Sequence, residues 1–128
     1  MNSTVLASTY CLFRIHKLAP FTTHRVEVAG DFIHFFDEEE DSVYSLNSIY
    51  PVFSFPMNSE VVLIDAKMKR NKKHKGYHRV VFLNTINNTS VELFYTKKQK
   101  SKFKFFKKQL KKVNFKIIKT SIDASEMY

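Results

Sequence analysis

Apolar and polar positions alternate through most of the chain, then change period once near the end. Residues 9–17 (TYCLFRIHK) alternate in a strand-like way, with Tyr10, Leu12 and Arg14 on one face and Cys11, Phe13 and Ile15 on the other. Residues 24–29 alternate again, Gly30-Asp31 supplies a turn, and residues 32–36 return as a second run. Residues 43–53 form a further strand-like stretch, with Pro51 near its end favouring an edge or a bend. Residues 60–68 hold a continuous apolar run, VVLI. Residues 77–84 and 91–95, rich in β-branched and aromatic side chains, make a hairpin around Asn87-Asn88. After it, Phe103, Phe106, Leu110 and Val113 recur at steps of three and four, the stripe of an amphipathic helix. Thr96 followed by Gln99 has the spacing of a capping box and marks the helix start. Phe105 lies off the stripe and is expected at the surface.

The order is seven strands followed by one helix. No helix is expected between two strands, so a parallel βαβ sheet is not expected. Seven short strands cannot leave both faces of a sheet in water, so they curl into a barrel or stack as a sandwich, and the terminal helix plugs an open end. The expected division is an N-terminal lead-in (1–8), one domain (9–115) and a short frayed tail (116–128).

At 128 residues the chain is long enough for a single core. It carries 13 Phe, 6 Tyr, no Trp and 2 Gly. Two glycines leave no room for a glycine-rich phosphate loop. No apolar run approaches the roughly 20 residues of a membrane-spanning helix, and the start of the chain lacks the charged region of a signal peptide. Cys11 stands alone, which fits a small core hydrophobe better than a nucleophile and gives no disulfide framework. The expected setting is therefore cytoplasmic, peripheral to a membrane where the protein docks.

The net charge of +9 is unevenly distributed. Before residue 67 there are three basic and nine acidic residues, net −6; from Lys67 onward there are eighteen basic and three acidic, net +15. That asymmetry points to an acidic partner: an anionic membrane lipid surface, an acidic protein surface or a nucleic acid. Lysine-rich composition can also reflect an AT-rich genome, which tempers the inference. The densest cluster is Lys67, Lys69, Arg70, Lys72, Lys73 and Lys75, in a loop between two strands. Anionic headgroups attract such side chains by ~1 kcal/mol each; the competing reading is a solubilising hairpin tip. The helix adds lysines away from its apolar stripe, which read as a solvated face around a core-capping helix.

Catalytic signatures are missing. The five histidines are scattered, and the His74–His78 spacing falls around a strand start, where an i, i+4 pair does not converge on a metal. The acidic run at residues 37–41 lacks the spaced ligands and turn glycine of a calcium loop. No metal, no cofactor and no enzymatic activity are expected.

The strand order and three stretches resemble the pleckstrin-homology (PH) family over about residues 9–113. HRVEVAGDFIHFFDEEE is similar to its second and third strands, YSLNSIYPV to its fourth, and ELFYTKKQKSKFKFFKKQL to its last strand and helix. The resemblance implies a mostly β fold, a seven-stranded antiparallel barrel or sandwich of two sheets capped by a C-terminal α-helix. Phe106 stands where the family usually has a tryptophan. The resemblance also implies a phosphoinositide pocket between the first and second strands. Its nearest match here is Lys17 followed by His24 and Arg25, with Arg14 assisting. The acidic residues 37–41 flank that pocket and would repel an anionic headgroup. The leading expectation is a non-catalytic lipid-binding module that docks on anionic membrane through the basic loop and helix face. A protein–protein interaction or scaffold module is the alternative. Nucleic-acid binding ranks last, because the lysines stand in blocks rather than interleaved with exposed aromatics.

Overall fold

The computed structural model describes residues 4–38, 50–69 and 77–123, without the side chains of 67–69 and 121–123. Eight strands and one α-helix follow one another: β1 (Ala7–Phe13), β2 (Thr22–Val28), β3 (Phe32–Phe36), β4 (Phe53–Pro56), β5 (Val61–Lys69), β6 (Tyr77–Asn84), β7 (Ser90–Thr96), α1 (Lys100–Lys112) and β8 (Ile117–Asp123). The hydrogen-bonded order is β4-β3-β2-β1-β7-β6-β5-β8. The first seven strands pair antiparallel. The two expected sheets are the halves of this one sheet, joined where Leu12 of β1 pairs with Phe94 of β7. Each half turns its alternate residues inward. Cys11 and Phe13, Val26 and Val28, Ile33 and Phe35, Leu63, Val80 and Phe82, and Leu93 form one buried cluster. Phe103, Phe106 and Leu110 of α1 close it, all three fully buried.

Two backbone features agree in detail with the sequence pattern. Asn88 takes φ 64° in the β6–β7 turn, a left-handed conformation Asn tolerates. Thr96 and Gln99 form the capping box: the Gln99 amide donates to Thr96 Oγ1 and the Thr96 amide to Gln99 Oε1. A short 3₁₀ turn, Lys97–Gln99, follows Thr96 and leads into α1.

Three local expectations need correction. The helix stops at Lys112, so Val113 does not extend the stripe and is 44% exposed. β1 ends at Phe13, before Arg14, where the chain turns toward β2. The fourth strand is Phe53–Pro56 rather than 43–53, although residues 43–49 of that expectation lie outside the described residues. Phe53 and Phe55 both turn toward the core, and Pro56 ends an edge strand, where its missing donor costs no ladder bond.

The tail is the largest departure. Residues 117–123 are not frayed; they form β8, parallel to β5, with Leu63 opposite Ile117 and Lys69 opposite Asp123. The chain reaches this edge through a tight helix ending. Asn114 adopts φ 62°, its amide donates to Lys111 O, and the Phe115 amide donates to Leu110 O. These two bonds satisfy carbonyls that the end of a helix leaves open. Phe115 and Ile117 then pack on the core.

Candidate anion-binding surfaces

The family-type pocket comes first. Arg14 and Lys17 share the β1–β2 turn, where Arg14 Nη1 donates to Lys17 O at 3.0 Å and the guanidinium lies over Phe21, 4.6 Å from its centroid. Lys17 is exposed. His24 does not face solvent. It is 2% exposed, with its ring edge-on to Phe13 and Nδ1 2.9 Å from Thr22 O. A buried ring in this position serves the core and does not reach a headgroup.

Arg25 is held by this chain's own acids. Nη1 is 2.8 Å from Glu38 Oε1, and Nε makes an ion-pair contact at 3.0 Å with Glu27 Oε2 without the alignment of a hydrogen bond. Its guanidinium also lies 4.4 Å from the centroid of Phe36. Tyr10 donates to the other oxygen of Glu38 at 2.7 Å. Glu38 belongs to the acidic run that the sequence places beside this pocket. Its role is thus more specific than general repulsion: it occupies the cation that the pocket would use.

Of the basic loop, Arg70, Lys72, Lys73 and Lys75 lie outside the described residues, as do the side chains of Lys67 and Lys69. The roots of the loop are defined. β5 ends at Lys69, and β6 begins at Tyr77, which pairs with Thr96 at the end of β7. Exposed Lys97 and Lys98 follow Thr96 directly. Loop and helix start are therefore rooted at the same end of the barrel.

From that end a groove of about 510 Å³ runs between α1 and β8, lined by Asp65, His78, Tyr95, Lys100, Lys107 and Lys119. An adjoining depression of about 290 Å³ shares Tyr95, Lys100, Lys107 and Lys119 and adds Lys104, Lys108 and Lys111. The floor is aromatic: Tyr95 stacks between His78 (centroids 4.9 Å apart, 8° between planes) and Phe103 (4.2 Å, 9°). Burial, with the Asp65 carboxylate second, pushes the Tyr95 hydroxyl up to about 12, so it stays protonated at neutral pH. Lys107 Nζ donates to Asp65 Oδ2 at 2.6 Å. Asp65 also faces Lys119 across the β5–β8 register. It is the one acidic residue among those lining either depression.

Helical spacing could find Lys100, Lys104, Lys107, Lys108 and Lys111 on one flank. It could not find Lys119, Asp65 or Tyr95 as their neighbours, because that requires β8. Elsewhere, Cys11 is fully buried and desolvation holds its thiol well above the usual range, so it is an inert core residue. No group of His, Cys, Asp and Glu fit to hold a metal ion occurs among the described residues. No helix there is long and apolar enough to cross a membrane.

No family model matches the sequence, and no curated protein does. Among solved structures, the crystal structure of the Slm1-PH domain in complex with inositol-4-phosphate is similar. The match is 16% identical, covers 83% of this chain and 94% of that one, and has a TM-score of 0.49. The seven antiparallel strands in this order, with a C-terminal helix closing the core, define a PH-like fold on their own.

Proposed function

We propose that this protein is a non-catalytic PH-like module that docks on an anionic membrane surface, through the basic segment that starts with Lys67 and Lys69, which belong to the end of β5 and not to a loop as expected, and continues with Arg70, Lys72, Lys73 and Lys75, together with the lysine flank of α1. One observation carries the reading: the Tyr77–Thr96 pair roots the basic loop beside Lys97 and Lys98, so two lysine-rich segments leave the barrel at one end. Clustered ammonium groups add attraction to anionic lipid at ~1 kcal/mol each and need no shared pocket geometry. The Arg14–Lys17–Arg25 side contributes less, since Glu27 and Glu38 hold Arg25.

Vesicle co-sedimentation tests this. Wild type pellets with vesicles containing anionic lipid and stays in solution with neutral ones. Replacing Lys69, Arg70, Lys72 and Lys73 with Ser lowers pelleting steeply and leaves the unfolding midpoint within about 0.5 kcal/mol, as for ordinary surface positions. Added salt mimics the variant, because exposed attraction decays over about 8 Å at physiological ionic strength. Replacing Lys17 and Arg25 has the smaller effect. Equal pelleting of wild type and loop variant on anionic vesicles sinks the reading.

The occupied Arg25 favours one second reading, a protein-interaction module. Under it, the barrel presents acidic and basic ends to different partners. A stable partner that survives the loop substitutions, with no vesicle binding, would select it.

A further inference from the structure

The lysines along the α1–β8 groove are arranged against the interests of the isolated fold. Lys97, Lys98 and Lys100 occupy the start of the helical segment, and no acidic residue lies in its first turn. Cations there oppose the positive end of the helix dipole, an unfavourable arrangement. Lys100, Lys104 and Lys108 repeat at i, i+4, as do Lys107 and Lys111, and like charges at that spacing destabilise a helix. β8 then brings Lys119 to the facing wall. Among the described residues six lysines line the two depressions, and the one carboxylate, Asp65, is committed to Lys107. A bound anion offsets the repulsion among the lysines that line the two depressions.

The shape and the donors narrow the anion. The groove is two-walled and its floor is the buried Tyr95 ring, so a flat bilayer meets only its rim. Its volume lies within the roughly 300–1,000 Å³ typical of small-ligand clefts. Among the described residues its cations are all lysines, which hold phosphate as mobile point charges rather than through a fixed bidentate fork. We infer that the groove between α1 and β8 binds a compact polyanion carrying two or more phosphate groups. This deepens the reading of the helix flank as an anion-receiving surface, and adds β8 as the element that makes it a site.

The test uses tripolyphosphate as probe, the full chain, and calorimetric titration with a parallel melting curve. Wild type binds, and its melting temperature rises with ligand concentration, since a ligand that prefers the folded state stabilises it. Replacing Lys104, Lys108 and Lys119 with Gln keeps good helix formers at the two helical positions, preserves the circular dichroism spectrum, and weakens binding at least tenfold. Replacing Lys69, Arg70, Lys72 and Lys73 with Ser changes it less than threefold. Two results overturn the inference: equal affinity for wild type and the groove variant, or the same melting shift from sulfate at matched ionic strength. The source of the phosphate is read from vesicles. Competition by saturating tripolyphosphate against phosphatidic acid vesicles, but not against phosphatidylserine vesicles of equal charge, assigns a lipid phosphomonoester; competition against neither assigns a soluble ligand. Tripolyphosphate binding without any vesicle docking removes the membrane reading and keeps this one.

Discussion

Helix α1 has a groove of about 510 Å³ on each flank, and the two differ in what their cations touch. On the β1 side, Arg25 is shared by Glu27, Glu38 and Phe36, Lys102 lies 5.2 Å from the Tyr10 centroid, and Tyr10 is bonded to Glu38. On the β8 side, six lysines face one carboxylate. Counting basic residues would rank the grooves by number alone. Their partners rank them more sharply, because an arginine already paired must give up an intramolecular contact before it can hold a ligand, whereas among the described residues most of the β8-side lysines form no ion pair. The β1-side groove, which shares Arg25 with the family-type pocket, is thus the weaker candidate.

The largest effect should come from the ridge between the grooves. Phe106 is fully buried, in edge-on contact with Phe82 and tilted contact with Phe103. Phe106→Ala should cost ~3–5 kcal/mol by the range for truncated core aromatics, seen as a lower urea midpoint, and both grooves should fail together. A variant that kept tripolyphosphate affinity while losing that much stability would show that the grooves do not depend on this ridge.

Next comes the carboxylate inside the basic groove. The Asp65 and Lys107 side chains are 9% and 17% exposed, so neither is well hydrated when its partner is removed. Asp65→Asn should cost about 1.5–3 kcal/mol, the range for a hydrogen bond to a charged group, and should raise polyphosphate affinity. Weaker anion binding would mean that Asp65 organises the site rather than opposing it.

The converse change belongs to the other groove. Glu38→Gln removes one of the two acid partners that Arg25 has among the described residues and leaves Glu27. Glu38 is only 8% exposed and also accepts from Tyr10, so the stability loss should fall in the same range of about 1.5–3 kcal/mol for a hydrogen bond to a charged group, while pelleting with anionic vesicles should rise. An unchanged pelleting curve would remove the claim that internal pairing is what quiets this flank.

These residues also mark what was legible in the sequence. The seven antiparallel strands, the helix phase at Phe103, Phe106 and Leu110, the capping box and the Asn turn all follow from local period and local chemistry, and the structure has them. β8 was missed although Ile117, Ile118 and Thr120 are β-branched. Its stability comes from pairing with β5, a contact some fifty residues away, and from the left-handed Asn114 that redirects the chain. A basic, polar-flanked tail shows neither. The same gap hid the groove, whose second wall is β8. The Arg25–Glu38 pair was visible only as charge of opposite sign in neighbouring strands; that it is a contact at 2.8 Å depends on the β2–β3 register. His24 misled for a simpler reason: the alternation that places Arg25 outward places its neighbour inward.

The smallest effect should come from Phe105, on the β1-side flank beside Lys102 and Gln109. It is adjacent in sequence to Phe106 but about 100° away around the helix, and it is 59% exposed. Truncating it removes only the covered fraction of the ring from contact, and two small terms then oppose each other. The lost burial destabilises, while alanine is the better helix former by several tenths of a kcal/mol. Phe105→Ala should therefore shift stability by no more than about 0.5 kcal/mol, the usual span at surface positions. Tripolyphosphate affinity should not change at all, since Phe105 lines the opposite groove. Equal urea midpoints for the Phe105 and Phe106 variants would mean that the helix is rotated, which would exchange the residues assigned to the two grooves. A loss of anion affinity with Phe105→Ala alone would be more damaging, because it would place the anion on the β1 side, against the one guanidinium, Arg25, that Glu27 and Glu38 already hold.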